Sequence, residues 1–150
     1  MAAAVLAGDV LVRAWVNGRD DLTGQGGPLS GGAYDKEQAG SGPGGAYVVV
    51  SQTGGAGGPV AESGGELATV NVSMQVYSLT KENASRAATA LFTAVDALTG
   101  LPEPCGDRAA AEGWILVTDQ VRGPIAIPQP GVGGEQFTYM VTADFMLAQL

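Results

Sequence analysis

The sequence predicts an α+β domain: two helices packed on one face of a mainly antiparallel sheet of four to five strands, joined by long glycine-rich loops. Three observations carry this. Two segments repeat apolar residues at helical spacing, one near the start of the chain and one in its middle. Several others alternate apolar with polar residues or concentrate β-branched ones, as half-buried strands do. Most of the 24 glycines fall between these segments. At 150 residues the chain suits one domain spanning 1–150, which buries about two thirds of its extended surface.

Met1 to Val16 reads as a helix, because Leu11 with Trp15 and Val12 with Val16 fall at i,i+4 and Asn17-Gly18 supplies a stop. The same stretch lacks a basic leader region, is interrupted by Asp9 and Arg13, and has no run of about 20 apolar residues, so neither secretion nor membrane insertion is expected. Trp15 is read as a core side chain, with a partner-anchoring role as the alternative.

From Gly18 to Glu66, 16 of 49 residues are glycine. Such a composition loses too much chain entropy to form helix, and a flexible surface loop is expected over about 18–45. Within the stretch, Ala46 to Ser51 is a short β-branched run bounded by glycines and reads as a strand. The following Thr53 to Pro59 superficially resembles a phosphate-cradling turn. It has no GxGxxG, no Gly-Lys-Ser/Thr and no helix start after Pro59, so a linker between strands is expected instead.

Glu66 to Ser78 is the clearest strand: Val70, Val72, Met74 and Val76 alternate with Asn71, Ser73, Gln75 and Tyr77, placing the first set on a buried face and the polar set on an open one. Thr80 then serves as N-cap of the second helix, with Glu82 and Arg86 at a favourable i,i+4 spacing. Ala84, Ala87, Leu91, Val95 and Leu98 form its apolar stripe, and Gly100 and Pro102 end it. Leu101 to Gly113 reads as a solvated acidic loop. Trp114 to Asp119 is a strand, Gly123 to Pro128 an extended segment whose prolines favour a sheet edge, and Gln129 to Gly134 a turn. Phe137 to Leu147 closes the chain as a strand long enough that part of it is expected to project beyond one sheet.

Composition narrows the chemistry. Fifteen acidic against seven basic residues give a net charge of −8, which disfavours a broad nucleic-acid surface. No histidine is present and cysteine occurs once, as Cys105, removing the usual general base, the commonest metal ligand, internal disulfides and cysteine-rich metal sites. Neither the Glu103, Asp107 and Glu112 carboxylates nor Cys105 has a neighbouring base or metal-ligand spacing, so no enzyme activity, cofactor or metal is expected.

The order of elements and their local signatures resemble the tail terminator proteins of long-tailed bacteriophages. The resemblance rests on the N-terminal helix and on Tyr47 to Ser51 followed by glycines. It rests above all on Val70-Asn71-Val72-Ser73-Met74-Gln75-Val76-Tyr77-Ser78-Leu79-Thr80 running into an alanine-rich helix. Val121-Arg122-Gly123-Pro124 and the closing strand Phe137 to Leu147 extend it over most of the chain. It implies a minor tail protein of the virion, made in the bacterial host cytoplasm and seated at the head-proximal end of the tail. There a homo-hexameric ring would cap the tail tube, end tube polymerisation and meet the head-completion or neck protein, while DNA passes through the lumen without specific binding. A net negative lumen would let DNA slide without adsorbing.

Candidate assembly-interface residues are Asn71, Ser73 and Gln75 on the polar strand face, Ile125 and Ile127 on the extended edge, and Phe145 and Leu147 near the end of the last strand. Two other readings remain open: another connector of the same particle, such as a head-to-tail stopper or a tail tube subunit, and a small ligand-binding module or enzyme that uses the glycine loops.

Overall fold

In the computed structural model, residues 8–35, 46–55, 67–105, 114–127 and 137–149 are described. Helix α1 (Gly8–Asn17) buries Leu11, Val12, Trp15 and Val16, the pairs whose spacing predicts it, while Arg13 and Asp9 form an ion pair at 3.1 Å one turn apart. Trp15 is 2% exposed, so it belongs to the core rather than to a partner. The helix stops at Asn17, and the Gly18 amide bonds back to the Ala14 and Trp15 carbonyls.

The stretch expected to be a flexible loop is built, through residue 35, from short hydrogen-bonded pieces. A single helical turn, α2 (Asp20–Thr23), buries Leu22. The chain then doubles back so that the Leu29 amide donates to the Leu22 carbonyl at 2.7 Å, and strand β1 (Ala33–Tyr34) follows. Two apolar side chains, Leu22 and Leu29, both buried, are enough to fold a glycine-rich segment onto the core. Residues 36–45 lie outside the described part of the chain.

The other elements are β2 (Tyr47–Gly55), β3 (Leu67–Ser78), α3 (Lys81–Ala97), β4 (Glu103–Pro104), β5 (Trp114–Ile127) and β6 (Phe137–Gln149). Among the described residues the strands form one six-stranded sheet in the order β1-β2-β3-β6-β5-β4. The β1–β2 pair is parallel and the rest are antiparallel. The sheet is therefore mixed, and wider than the four to five strands expected, because β1 and β4 have two residues each and leave no periodic trace in the sequence. Thr53 to Gly55 belong to β2 rather than to a linker, pairing past a bulge with Asn71 and Val70.

Two further corrections follow from register. The last strand does not project: β6 is flanked by β3 from Phe137 to Ala148 and by β5 from Thr138 to Gln149. Trp114–Asp119 and the segment from Gly123 are not separate elements, since β5 runs from Trp114 to Ile127, with register shifts between Thr118 and Gln120 and between Arg122 and Ile125; Pro128 lies outside the described residues. Gly123 makes the second shift possible. Its φ is +109°, and a Cβ there would stand 2.6 Å from the Met140 carbonyl oxygen, so any larger residue is excluded on both counts. From Val117 onward β5 has β6 on one side and no described strand on the other, in keeping with the expected edge.

The core lies on one face of the sheet. Val48 and Val50, Val70, Val72, Met74 and Val76, Val141, Ala143 and Phe145 meet α1 and the Ala84, Ala87, Ala88, Leu91, Val95 and Leu98 stripe of α3. Each fully buried aliphatic side chain contributes about 1.5–3 kcal/mol, and the alanines let α3 approach the strands closely. Thr80 caps α3 as the sequence predicts, its hydroxyl accepting the Asn83 amide at 3.2 Å. At the other end of the helix the buried Thr118 hydroxyl donates to the Val95 carbonyl at 2.7 Å. The Glu82–Arg86 spacing closes no ion pair among the described residues.

Candidate functional site: the helix-free face of the sheet

Because neighbouring side chains on a strand point to opposite faces, the register fixes what the second face carries. Four transverse rows cross β3, β6 and β5: Asn71–Asp144–Gln120, Ser73–Thr142–Arg122, Gln75–Met140–Ile125 and Tyr77–Thr138–Ile127. Five of the seven candidate residues, Asn71, Ser73, Gln75, Ile125 and Ile127, thus share one surface. With strands about 4.8 Å apart and alternate residues about 6.8 Å apart, this grid covers roughly 10 by 20 Å.

Phe145 stands apart from them. It is 0% exposed and lies on the helix side, paired with Val70 and Thr118, so it is a core residue and no assembly contact. Leu147 pairs with Ala68 and Leu116 along the ladder, and its side chain lies outside those described. Ser73 and Tyr77, expected on an open face, are buried at 6% and 7% exposure, as is Thr138 on β6, so the accessible part of the grid is its β5 side, where Gln120, Arg122 and Ile125 are exposed.

The grid has a polar end and an apolar end. At the polar end the Asn71 amide donates to Asp144 Oδ1, and Arg122 approaches the same oxygen at 3.5 Å with its side chain half exposed. A pair this exposed stabilises the monomer by at most about 1 kcal/mol, which leaves Arg122 available to exchange partners. At the other end Ile125 is 52% exposed beside Met140 and Ile127. Next to it Tyr77 donates to Gln75 Oε1 at 2.7 Å and stacks on Tyr47 at 5.2 Å, while Tyr34 meets Tyr47 edge-on at 5.8 Å. These ring pairs link β1, β2 and β3 side chain to side chain at this corner of the sheet. Asp144, Arg122, Met140 and Thr142 belong to this surface although sequence reasoning did not single them out. The alternation of the last strand already separates Thr138, Met140, Thr142 and Asp144 from Phe137, Tyr139, Val141 and Phe145.

Elsewhere, side chains that invite a chemical reading are tied into structure. Glu103, expected in a solvated loop, accepts from Trp15 Nε1 and from Arg19, both at 2.9 Å. Arg19 also lies over the Trp15 ring at 5.3 Å. The hydrogen bond to Arg19 holds the Asp21 carboxyl below its ordinary range, and the same bond raises Arg19. Cys105 is buried, and desolvation pushes its thiol up to about 12. Asp107, Arg108 and Glu112 lie outside the described residues. Among the described residues no three His, Cys, Asp or Glu side chains are placed to hold a metal ion, and no helix is long and apolar enough to cross a membrane. The chain matches no protein-family model and no curated protein.

Proposed function

We propose that this chain is a structural virion protein of the tail-terminator type, which caps a phage tail tube as a ring, ends tube polymerisation and presents the surface for head attachment. The observation that carries the reading is the one-sided sheet. Both long helices cover one face, while the other gathers Asn71, Ser73, Gln75, Ile125 and Ile127 into a mixed polar and apolar grid. The four long strands and two long helices are the working core, and the two-residue strands trim its edges.

In this reading the activity is binding, with no catalytic residue, cofactor or metal. Six copies form the ring, the tail tube protein lies on one side and the head-completion or neck protein on the other, and DNA passes through the lumen without specific contacts. Such a protein resides at the head-proximal end of the virion tail. A ring carrying six times the −8 charge of one chain repels the DNA backbone, which favours passage over adsorption.

The test adds the purified chain to polymerising tail tube protein and measures tube lengths by negative-stain imaging, with native mass spectrometry of the chain alone. Tubes that stop short and carry a ring at one end are expected. Unchanged tube lengths would overturn the reading, and long tubes formed by the chain itself would make it a tube subunit.

A further inference from the structure

The segment from Gly26 to Ser30 stands beside the first half of α3, and between them lies a cleft of about 380 Å³ bordered by Gly27, Ser30, Ala46, Asn83 and Arg86. Arg86 differs from the other described arginines. Arg13 pairs with Asp9 at 3.1 Å, Arg19 with Asp21 at 2.7 Å and Glu103 at 2.9 Å, and Arg122 with Asp144 at 3.5 Å, whereas Arg86 has no carboxylate partner among the described residues. In a chain with 15 acidic and 7 basic residues, an exposed arginine with no carboxylate of its own is an exception. Beside the Asn83 amide and the Ser30 hydroxyl it makes a donor-rich wall, complementary to a carboxylate.

The complement stands at the other end of the sheet. Asp119 is the extra residue at the first register shift of β5, on the edge that has no described neighbour. It is exposed and has no cationic partner among the described residues. A bulge re-aims the side chain it carries, here on a strand edge with no described neighbour.

Helix α3 measures the separation. Arg86 lies in its second turn near Ala46 at the β1–β2 end, and the Val95 carbonyl meets Thr118, next to Asp119, at the β5 end. Nine helical residues span about 14 Å, and the three strand-to-strand steps from β2 to β5 likewise span about 14 Å. Arg86 therefore cannot serve Asp119 of its own chain, but a copy joined head to tail can supply it.

We infer that Asp119 of one copy enters the Arg86 cleft of the next, with the Arg86 guanidinium and Asn83 amide donating to its carboxylate. This is a heterologous contact, repeated around a cyclic axis until the ring closes. It rests on the ring reading above and names the contact that closes it.

The test is charge exchange read by native mass spectrometry, with circular dichroism confirming that each variant folds. Wild-type chain is expected to form closed rings. R86E and D119R should each need about tenfold or more higher concentration to assemble, because like charges then face each other. R86A and D119N should show a weaker effect of the same kind. An equimolar mixture of R86E and D119R should recover assembly in strictly alternating rings, and the double variant R86E/D119R should recover it alone. Single variants that assemble like the wild type would overturn the inference, as would a mixture and a double variant that stay apart, or a wild-type chain monomeric up to its solubility limit. Rings that follow this charge pattern yet leave tail tubes uncapped would uphold the contact and remove the tail-capping reading.

Discussion

Asn17 does more than end a helix. From the last position of α1 its side chain reaches Ala33, accepting the backbone amide at 3.0 Å and donating to the backbone carbonyl at 3.3 Å. It thus occupies the place of a neighbouring strand residue on the outer edge of β1. In Asn17→Ala both bonds vanish. Each is worth about 0.5–1.5 kcal/mol net, and because Asn17 is exposed water re-enters, so a loss of about 1–2 kcal/mol is expected. For a domain of this size that lowers Tm by about 3–6 °C. Asn17→Asp keeps the acceptor for the Ala33 amide, but sets a second oxygen against the Ala33 carbonyl and a negative charge at a helix C-terminus, which costs roughly another 0.3–1 kcal/mol. Urea unfolding followed by circular dichroism gives the stabilities, and amide exchange at Ala33 separates the variants: about tenfold faster in Asn17→Ala, nearly unchanged in Asn17→Asp. A change under about 0.3 kcal/mol in Asn17→Ala with unchanged exchange at Ala33 would show that β1 is held by β2 alone and refute the reasoning.

Phe145→Ala empties a fully buried site and should cost about 3–5 kcal/mol in urea unfolding, whereas Ile125→Ala, half exposed, should cost under about 1 kcal/mol; equal stabilities would contradict the assignment of the two faces. Cys105 should resist alkylation in the native state at pH 8 and react once urea is added, since desolvation raises its thiol to about 12. Between the unfolded value near 8.5 and the folded value the native chain keeps a proton that the unfolded chain has lost. The contribution is therefore fully present below about pH 8.5 and is lost as pH rises toward 12. The gap in urea midpoint between wild type and Cys105→Ala should move against the wild type from pH 7 to pH 10, and a constant gap would deny the shift.

The sequence was most legible where a local rule and the tertiary structure agree. Thr80, the alanine stripe of α3 and the alternation of β3 all combine a cap or a period with the burial that the period implies. What could not be read depends on partners far along the chain. Ala33–Tyr34 and Glu103–Pro104 are strands only because β2 and β5 lie beside them. Glu103 is a structural ligand only because Trp15 and Arg19 arrive from α1 and the turn after it. The site residues divide in the same way. Asn71, Ser73, Gln75, Ile125 and Ile127 are all placed by simple alternation, whereas Gln120 and Arg122 reach this face because the first register shift of β5 flips its parity and the second restores it. Phe145 misled because both sets of the last strand hold large apolar residues, Met140 and Met146 on one and Phe145 on the other. Pairing with Val70, rather than hydrophobicity, decides which set goes inward.

The size of the helix-free grid bears on how such a surface could act. Roughly 10 by 20 Å is a few hundred Å², well below the approximately 800 Å² per partner of a standard stable interface, so one chain alone would hold a partner weakly. A larger or greasier patch would bind more tightly but would also drive premature association of the free monomer. Copies fixed in a ring escape this conflict. Once one grid is seated, the others face their partners at high effective concentration, and avidity supplies what each contact lacks. A modest surface of polar rows with a few exposed apolar side chains is then suited to a chain that stays soluble while single and holds fast only when assembled. Weakening one row, at Ile125 or Arg122, should be felt several times over in a ring and hardly at all in the monomer.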